Sequence, residues 1–191
     1  DMRALPFDSL RSMSARYMAE TKRMVMWSPV IDNYMLTGTF SDVTRANEIA
    51  DVPYIIGFTA NDMNDMTQAV RDFCVFRSEN SSHPAYAYMF SRPLPGDEAG
   101  AFHSSDLWYI FHSFRHSWRP YNAGDEELSL GMVDFWTNFA KYGDPNGNTG
   151  DTKWSPCTTA SPAFMVLDVD GEKATFTMTD KPAYRGGVFP R

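Results

Sequence analysis

The sequence has few cysteines, no long apolar run and no excess of basic residues. Cys74 and Cys157 are the only cysteines among the 191 residues; they could form one disulfide, but they are too few for a fold held together by several bridges. No apolar stretch approaches the roughly 20 residues that span a bilayer. The net charge is −7, with the acidic residues spread along the chain. Nucleic acid is therefore not expected as a partner, because no basic stripe is present to neutralise phosphates. None of these features fixes a cellular compartment.

Metal-binding spacings are also missing, since neither C-x-x-C nor H-E-x-x-H occurs. His112 and His116 stand four residues apart and could share one face of a helix. For two histidines at this spacing we prefer solvent exposure or packing to metal binding. The sequence therefore predicts neither a metal nor a cofactor.

Two short apolar runs are typical of buried strands: V-P-Y-I-I-G-F at residues 52–58 and A-Y-A-Y-M-F at residues 85–90. Between them, apolar residues at helical spacing predict a helix over residues 66–77. That stripe consists of Met66, Ala69, Val70, Phe73 and Cys74. Strand, helix and strand over this length predict a βαβ unit, with two neighbouring parallel strands and a right-handed crossover.

The remaining elements are predicted from capping residues and periodicity. Residues 4–24 are expected to be helical with Asp8 or Ser9 as a cap, and residues 30–36 to form a brief strand or a loop. Ser104 or Ser105 is expected to cap a short helix that has Asp106 in its first turn.

The clearest predicted helix covers residues 125–141, with an acidic first turn and Gly143 as a left-handed C-cap. Its expected buried face consists of Leu128, Met132, Phe135, Trp136 and Phe139. Residues 164–179 then read as a β-hairpin around an Asp170–Gly171 turn. No linker is long enough to divide the chain, so we expect one α/β domain.

Two polar side chains follow the two predicted parallel strands. Asp62 comes after the first strand, and His103 comes after the second strand and a glycine-rich loop. Functional groups of open α/β sheets gather at the carboxyl ends of the strands, so this pair is the candidate site. The acid has a rival, because the duplicated N-D-M triplet at residues 61–66 also offers Asp65.

Four segments carry a family resemblance: W-S-P-V-I-D at residues 27–32, A-D-V-P-Y-I-I-G at 50–57, G-A-F-H-S-S-D-L-W-Y-I-F at 100–111, and F-W-T-N-F-A-K-Y-G-D-P-N-G at 135–147. In this order they resemble the C-terminal part of type-B carboxylesterases, and the likeness runs from about residue 5 to residue 167. The segments at 100–111 and 135–147 are the specific ones.

The resemblance implies the C-terminal part of an α/β-hydrolase fold, with parallel strands, crossover helices and a C-terminal β-hairpin. Residues 1–191 would then be the C-terminal portion of a single domain. His103 takes the position of the general base, and Asp62 takes that of the acid, where most members of the family have Glu. No serine in the chain lies in a G-x-S-x-G pattern, so the N-terminal portion with the nucleophile is expected to be absent.

A second departure from the family is that only 40 residues separate Asp62 from His103. The long helical insert that members carry at this point, which helps to roof the acyl pocket, is nearly absent. A more open substrate site is one consequence to expect.

The expected function is therefore part of a serine carboxylic-ester hydrolase, to which this chain supplies the acid and the histidine. The expected partners are a small-molecule ester and the N-terminal part of the same domain or another chain, and the chain alone is predicted to be inactive. The alternative is a catalytically inactive, carboxylesterase-like module for binding or adhesion. If residues 1–191 were the whole protein, the missing serine would favour this alternative, whereas the retained His103 argues against it.

One aromatic cluster invites interpretation as a pocket for an aromatic ester: Trp108, Tyr109, Phe111, Phe114 and Trp118. We prefer a packing role, because Trp108 and Phe111 lie three residues apart on one short helix. Both are expected in the core.

Overall fold

A computed structural model describes residues 2–23, 29–147 and 153–187. Met24, at the end of the predicted first helix, and Trp27 and Ser28, which begin the first family-like segment, lie outside the described residues. The chain divides into two compact units, Asp1–Ala46 and Asn47–Arg191. No helix in the described ranges combines the length and the hydrophobicity that a membrane span requires.

The first unit is helical. Helix α1 spans Phe7–Thr21 and ends at Lys22, whose φ of 57° is left-handed. It starts after Pro6, so Asp8 lies inside the first turn and neither predicted residue caps it. Residues 30–36 form a turn in which the Asp32 carboxylate accepts three backbone N–H groups. Helix α2 spans Phe40–Arg45 and is capped by Thr39.

The second unit contains a four-stranded sheet in the order β1-β2-β3-β4. Strand β1 is Tyr54–Thr59 and β2 is Ala85–Phe90. They pair in parallel, with helix α3 (Thr67–Asn80) between them in sequence, which confirms the predicted βαβ unit. Of the predicted stripe on α3, Val70, Phe73 and Cys74 are buried, whereas Met66 and Ala69 are exposed.

The hairpin is formed by β3 (Phe164–Asp170) and the antiparallel β4 (Lys173–Thr179). Strand β3 also pairs in parallel with β2. Because Asp170 pairs with Lys173, the turn consists of Gly171 and Glu172, one residue later than predicted. Gly171 has a φ of 59°, which glycine adopts without strain.

The described residues between β2 and β3 include two α-helices and a short 3-10 helix. The short α4 (Leu107–Ile110) starts at Asp106 without a side-chain cap, so the predicted serine cap is wrong. The long α5 (Ala123–Tyr142) is capped by Asn122, and Gly143 ends it with the expected left-handed conformation. The buried apolar side chains of α5 belong to the core cluster, which also includes Trp154 and residues from β2 and β3.

Candidate functional site

Asp62 lies three residues beyond β1, in a turn that its own backbone closes by donating from N–H to the Thr59 carbonyl at 3.0 Å. Its carboxylate oxygen Oδ1 accepts the Met63 backbone N–H at 2.7 Å. The side chain is 14% exposed. The strand end and this local turn therefore hold the carboxylate at the carboxyl edge of the sheet.

His103 lies in the loop between β2 and α4, and this loop returns to the turn that carries Asp62. Asn61 joins the two segments: its N–H donates to the Ala101 carbonyl at 2.9 Å, and its Oδ1 accepts the Ala101 N–H at 3.0 Å. Gly100 has a φ of 65°, and a Cβ there would lie 2.5 Å from Asn61 Oδ1. Glycine is thus required where the histidine loop meets the acid turn.

The two predicted site residues are in contact, with His103 Nδ1 and Asp62 Oδ1 2.8 Å apart. An ionised carboxylate only accepts hydrogen bonds, so Nδ1 carries the proton and Nε2 remains the basic nitrogen. The histidine side chain is 57% exposed. The arrangement is an oriented imidazole, accessible from solvent, whose protonated form a carboxylate would stabilise.

The other carboxylates near this edge of the sheet have different partners. Asp65 accepts the Thr67 N–H at 2.9 Å at the start of α3, and hydrogen bonds from Thr67 lower its pKa. Asp106 accepts the Tyr88 hydroxyl at 2.8 Å, and burial raises its pKa. The geometry therefore favours Asp62 over Asp65 as the acid that faces His103.

A second serine, histidine and acid cluster lies at the start of α5. His112 Nδ1 is 2.7 Å from Ser129 Oγ, and its Nε2 is 3.4 Å from Glu126 Oε1. However, Ser129 is fully buried and donates its hydroxyl proton to the Tyr109 carbonyl at 2.8 Å. The imidazole is consequently the donor to Ser129, so this cluster cannot activate a nucleophile.

His112 is half-buried, with its ring edge-on to Phe114 at a centroid distance of 5.4 Å, while His116 lies in a short 3-10 helix, Phe114–His116, and is exposed. Packing and solvent exposure are the two alternatives that the sequence left open for these histidines. In the three described ranges, no group of three or more His, Cys, Asp or Glu side chains is arranged to hold a metal ion.

The aromatic cluster is divided between core and surface. Tyr109 and Phe114 are buried and stack with ring centroids 5.4 Å apart, and Trp108 is half-buried against Phe102. Phe111 is 74% exposed and Trp118 is 70% exposed. The expectation that Phe111 packs into the core is therefore wrong, because α4 ends after a single turn and turns this side chain outward.

Sequence reasoning missed three residues that support the site: Asn61, Tyr88 and Tyr184. Asn61 joins the two loops, Tyr88 holds Asp106, and Tyr184 donates its hydroxyl to the Asp62 carbonyl at 2.9 Å. The position of Asn61 directly before Asp62 was a weak signal in the sequence that its polar side chain supports the site. Nothing in the pattern links Tyr184, 122 residues away in the chain, to the acid.

The sequence profile of the carboxylesterase family matches residues 65–184. The chain is 37% identical over 98 residues to the bile salt-activated lipase of Rattus norvegicus, and 37% identical over 99 residues to that of Homo sapiens. Each match covers 48% of this chain, but only 16% of the rat protein and 13% of the human protein. Carboxylesterase 4A of Bos taurus is 29% identical over 115 residues, which are 55% of this chain and 20% of that relative.

Solved structures show the same fold. A thermophilic PNB esterase superposes with a TM-score of 0.72 at 16% identity, and a PNB esterase superposes with a TM-score of 0.70 at 14% identity. Each superposition covers 93% of this chain and 47% of the esterase, so the chain spans about half the length of these structures. The predicted fold class, an α/β-hydrolase fold with parallel strands, crossover helices and a C-terminal β-hairpin, is confirmed.

Proposed function

Because the chain belongs to the carboxylesterase family, we propose that it is the C-terminal portion of a carboxylic-ester hydrolase domain in which His103 is the general base and Asp62 orients it. The observation that carries the proposal is the 2.8 Å contact between His103 Nδ1 and Asp62 Oδ1. An acid followed by a histidine, each after a parallel strand, is also the chain order of the α/β-hydrolase triad.

The chemistry follows from the tautomer. A serine from the N-terminal portion attacks the ester carbonyl while His103 Nε2 takes its proton, and the imidazolium then gives the proton to the leaving alcohol. Asp62 keeps Nδ1 protonated and stabilises the positive ring. The oxyanion donors also come from the N-terminal portion.

The proposal that residues 1–191 belong to one larger domain rests on the sheet. In the described part of the chain, β1 has a strand neighbour on one side only, which is β2. Parallel sheets are buried on both faces, and an unpaired strand edge is a template for pairing with another strand. The unpaired edge of β1 therefore fits a strand from the N-terminal portion. The PNB esterases are about twice as long as this chain, which also supports the proposal that residues 1–191 are one part of a larger domain.

The test uses the assembled enzyme, meaning this chain together with its serine-bearing N-terminal portion. His103→Ala should lower kcat for p-nitrophenyl ester hydrolysis by several orders of magnitude, and Asp62→Asn by up to about 10⁴-fold. Asp65→Asn is the matched control and should keep kcat within about twofold, because the Asp65 carboxylate accepts the Thr67 N–H at the start of α3 instead of facing the histidine.

Undiminished turnover in the His103 variant would contradict the catalytic role. Equal losses from Asp62→Asn and Asp65→Asn would contradict the choice of acid. No turnover in the unaltered assembled protein would favour the alternative, an inactive module for binding or adhesion.

A further inference from the structure

The chain beyond the hairpin crosses the turn that carries the acid. We define residues 184–187 as the C-terminal strap and residues 60–63 as the acid loop. Arg185 donates its backbone N–H to the Ala60 carbonyl at 2.7 Å, and Asn61 donates from Nδ2 to the Gly186 carbonyl at 3.0 Å. The Tyr184 hydroxyl donates to the Asp62 carbonyl at 2.9 Å. Three hydrogen bonds therefore bind the strap to consecutive residues of the acid loop.

The strap is itself anchored to the sheet and fits closely. The Arg185 guanidinium donates to the Ser91 carbonyl at 2.6 Å and lies 3.4 Å from the Asp168 carboxylate. A Cβ on Gly187 would lie 2.9 Å from the Asp62 carbonyl oxygen, closer than side chains normally approach. Glycine at this position lets the strap lie directly against the acid loop.

Asp62 is consequently held on every polar group of its backbone. Its N–H donates to Thr59, and its carbonyl accepts from Tyr184, at 3.0 and 2.9 Å. From this fixed backbone the carboxylate oxygen Oδ1 accepts both the Met63 N–H and the His103 Nδ1–H. Of these constraints, the Tyr184 hydrogen bond is the one that comes from the C-terminal strap; the others come from the end of β1, from Met63 and from His103.

We propose that Tyr184 is a positioning residue, which fixes the backbone of Asp62 and so keeps the carboxylate aimed at His103. This inference rests on the proposed function. Among the described residues, the Tyr184 hydroxyl bonds to Asp62 and not to His103, so Tyr184 acts through Asp62. Its loss should therefore misalign the general base without weakening ester binding.

The first experiment is steady-state kinetics of Tyr184→Phe in the assembled enzyme. The loss of one hydrogen bond should lower kcat about three- to tenfold, with KM unchanged within about twofold. The matched control is Tyr54→Phe, which removes a hydroxyl that donates to the Ala50 carbonyl at the far end of β1. This control should leave kcat within about twofold.

The second experiment separates positioning from general stability through a double-mutant cycle. In an Asp62→Asn background, Tyr184→Phe should have no further effect on kcat, because the carboxylate through which it acts is already lost. A full additional loss in that background would overturn the proposal. So would a loss in KM alone, or an equal effect from Tyr54→Phe.

A spectroscopic readout keeps the inference distinct from the proposed function. The downfield proton resonance of His103 Nδ1–H reports its hydrogen bond to Asp62 whether or not the enzyme turns over. Tyr184→Phe should broaden or shift it, and Gly187→Ala, which pushes the same strap away, should do likewise if the Phe variant does not fold. Loss of activity in all proteins, with this resonance still dependent on Tyr184, would reject the proposed function alone; an unchanged resonance in both variants would reject the positioning role.

Discussion

Asp125 and Arg92 form a bidentate ion pair at the first turn of α5: Arg92 Nε donates to Asp125 Oδ1 at 2.8 Å, and Arg92 Nη2 donates to Asp125 Oδ2 at 2.9 Å. The Asp125 side chain has no exposed surface. The Tyr109 hydroxyl donates to the same Oδ1 at 2.6 Å, and the Asn122 backbone N–H donates to Oδ2 at 2.9 Å. One carboxylate thus joins α5, the α4 segment and the loop after β2.

Replacing this carboxylate should strongly destabilise the protein. Asp125→Ala leaves the Arg92 guanidinium without its buried partner, and breaking such a pair costs about 3–5 kcal/mol. Asp134 lies exposed on the same helix, so Asp134→Ala is the control and should stay within about 0.5 kcal/mol. Denaturant unfolding of the assembled protein gives both values. A loss below about 1 kcal/mol for Asp125→Ala would contradict this role.

The ionised Asp106 carboxylate should reduce the stability of the folded protein at neutral pH. Burial raises its folded pKa above the ordinary 3.8, so the folded state binds more protons than the unfolded state between these two values. Stability from this group is therefore present at low pH and is lost as the pH rises through the folded pKa.

Asp106→Asn removes this titration and leaves an oxygen that can accept from Tyr88. Relative to the unaltered protein, the variant should become more stable as the pH rises through that window, and the difference should then stay constant. Thermal midpoints of both proteins from about pH 3 to about pH 8 measure this difference. A difference in thermal midpoint that does not change with pH would show that the pKa of Asp106 is not raised in the folded protein.

Much of the fold follows from local patterns in the sequence. The runs at β1 and β2 are apolar enough to be buried, and the apolar spacing on α3 predicts a helix with one face on the sheet, so the parallel pair could be predicted; of that stripe, Val70, Phe73 and Cys74 are buried. The pairing of Asp62 with His103 could be predicted as well, because parallel strands end at the same edge.

Other features depend on contacts between distant residues, which no local pattern contains. Asp125 looks like an ordinary acidic first-turn residue, and only its position opposite Arg92 makes it a buried ion-pair partner. Phe111 has the spacing of a core residue, but the single turn of α4 leaves it exposed. Tyr184 reaches the acid loop only because the hairpin brings the strap back.

The two cysteines should be unreactive in the folded protein. Cys74 and Cys157 are free thiols and fully buried. The hydrogen bond between the two thiols raises the pKa of Cys74 and lowers that of Cys157, so the burial of both side chains is what should keep them unreactive. An aromatic disulfide reagent such as DTNB should therefore react negligibly with these two cysteines in the native protein and react with both after unfolding. Rapid native labelling, or no thiols after unfolding, would contradict this arrangement; the second result would mean that they had formed a disulfide.

Residues 1–191 alone should hydrolyse no ester at a meaningful rate and should not be a self-sufficient fold. A general base without a nucleophile or oxyanion donors keeps little of the rate enhancement. Within the described ranges no strand pairs with the outer edge of β1, which would also leave backbone groups of that edge unpaired. Purified alone, the chain should show no p-nitrophenyl ester cleavage, and adding the N-terminal portion should restore it. A monodisperse monomer with strong, His103-dependent activity would contradict both expectations.

The edge of β1 allows a sharper test of how the two portions join. Tyr54 and Ala60 donate their N–H groups to the Pro84 and Phe90 carbonyls. The backbone N–H and C=O groups of even-numbered residues of β1 therefore point towards β2, and the backbone N–H of Ile55 points towards the open edge. Ile55→Pro removes that donor without breaking the bonds to β2, and proline is tolerated on an edge that stays unpaired. If a strand of the N-terminal portion pairs here, the variant should bind that portion about tenfold more weakly or worse. Ile55→Val keeps the N–H and should bind normally, and equal affinities for the two variants would show that the N-terminal portion docks elsewhere.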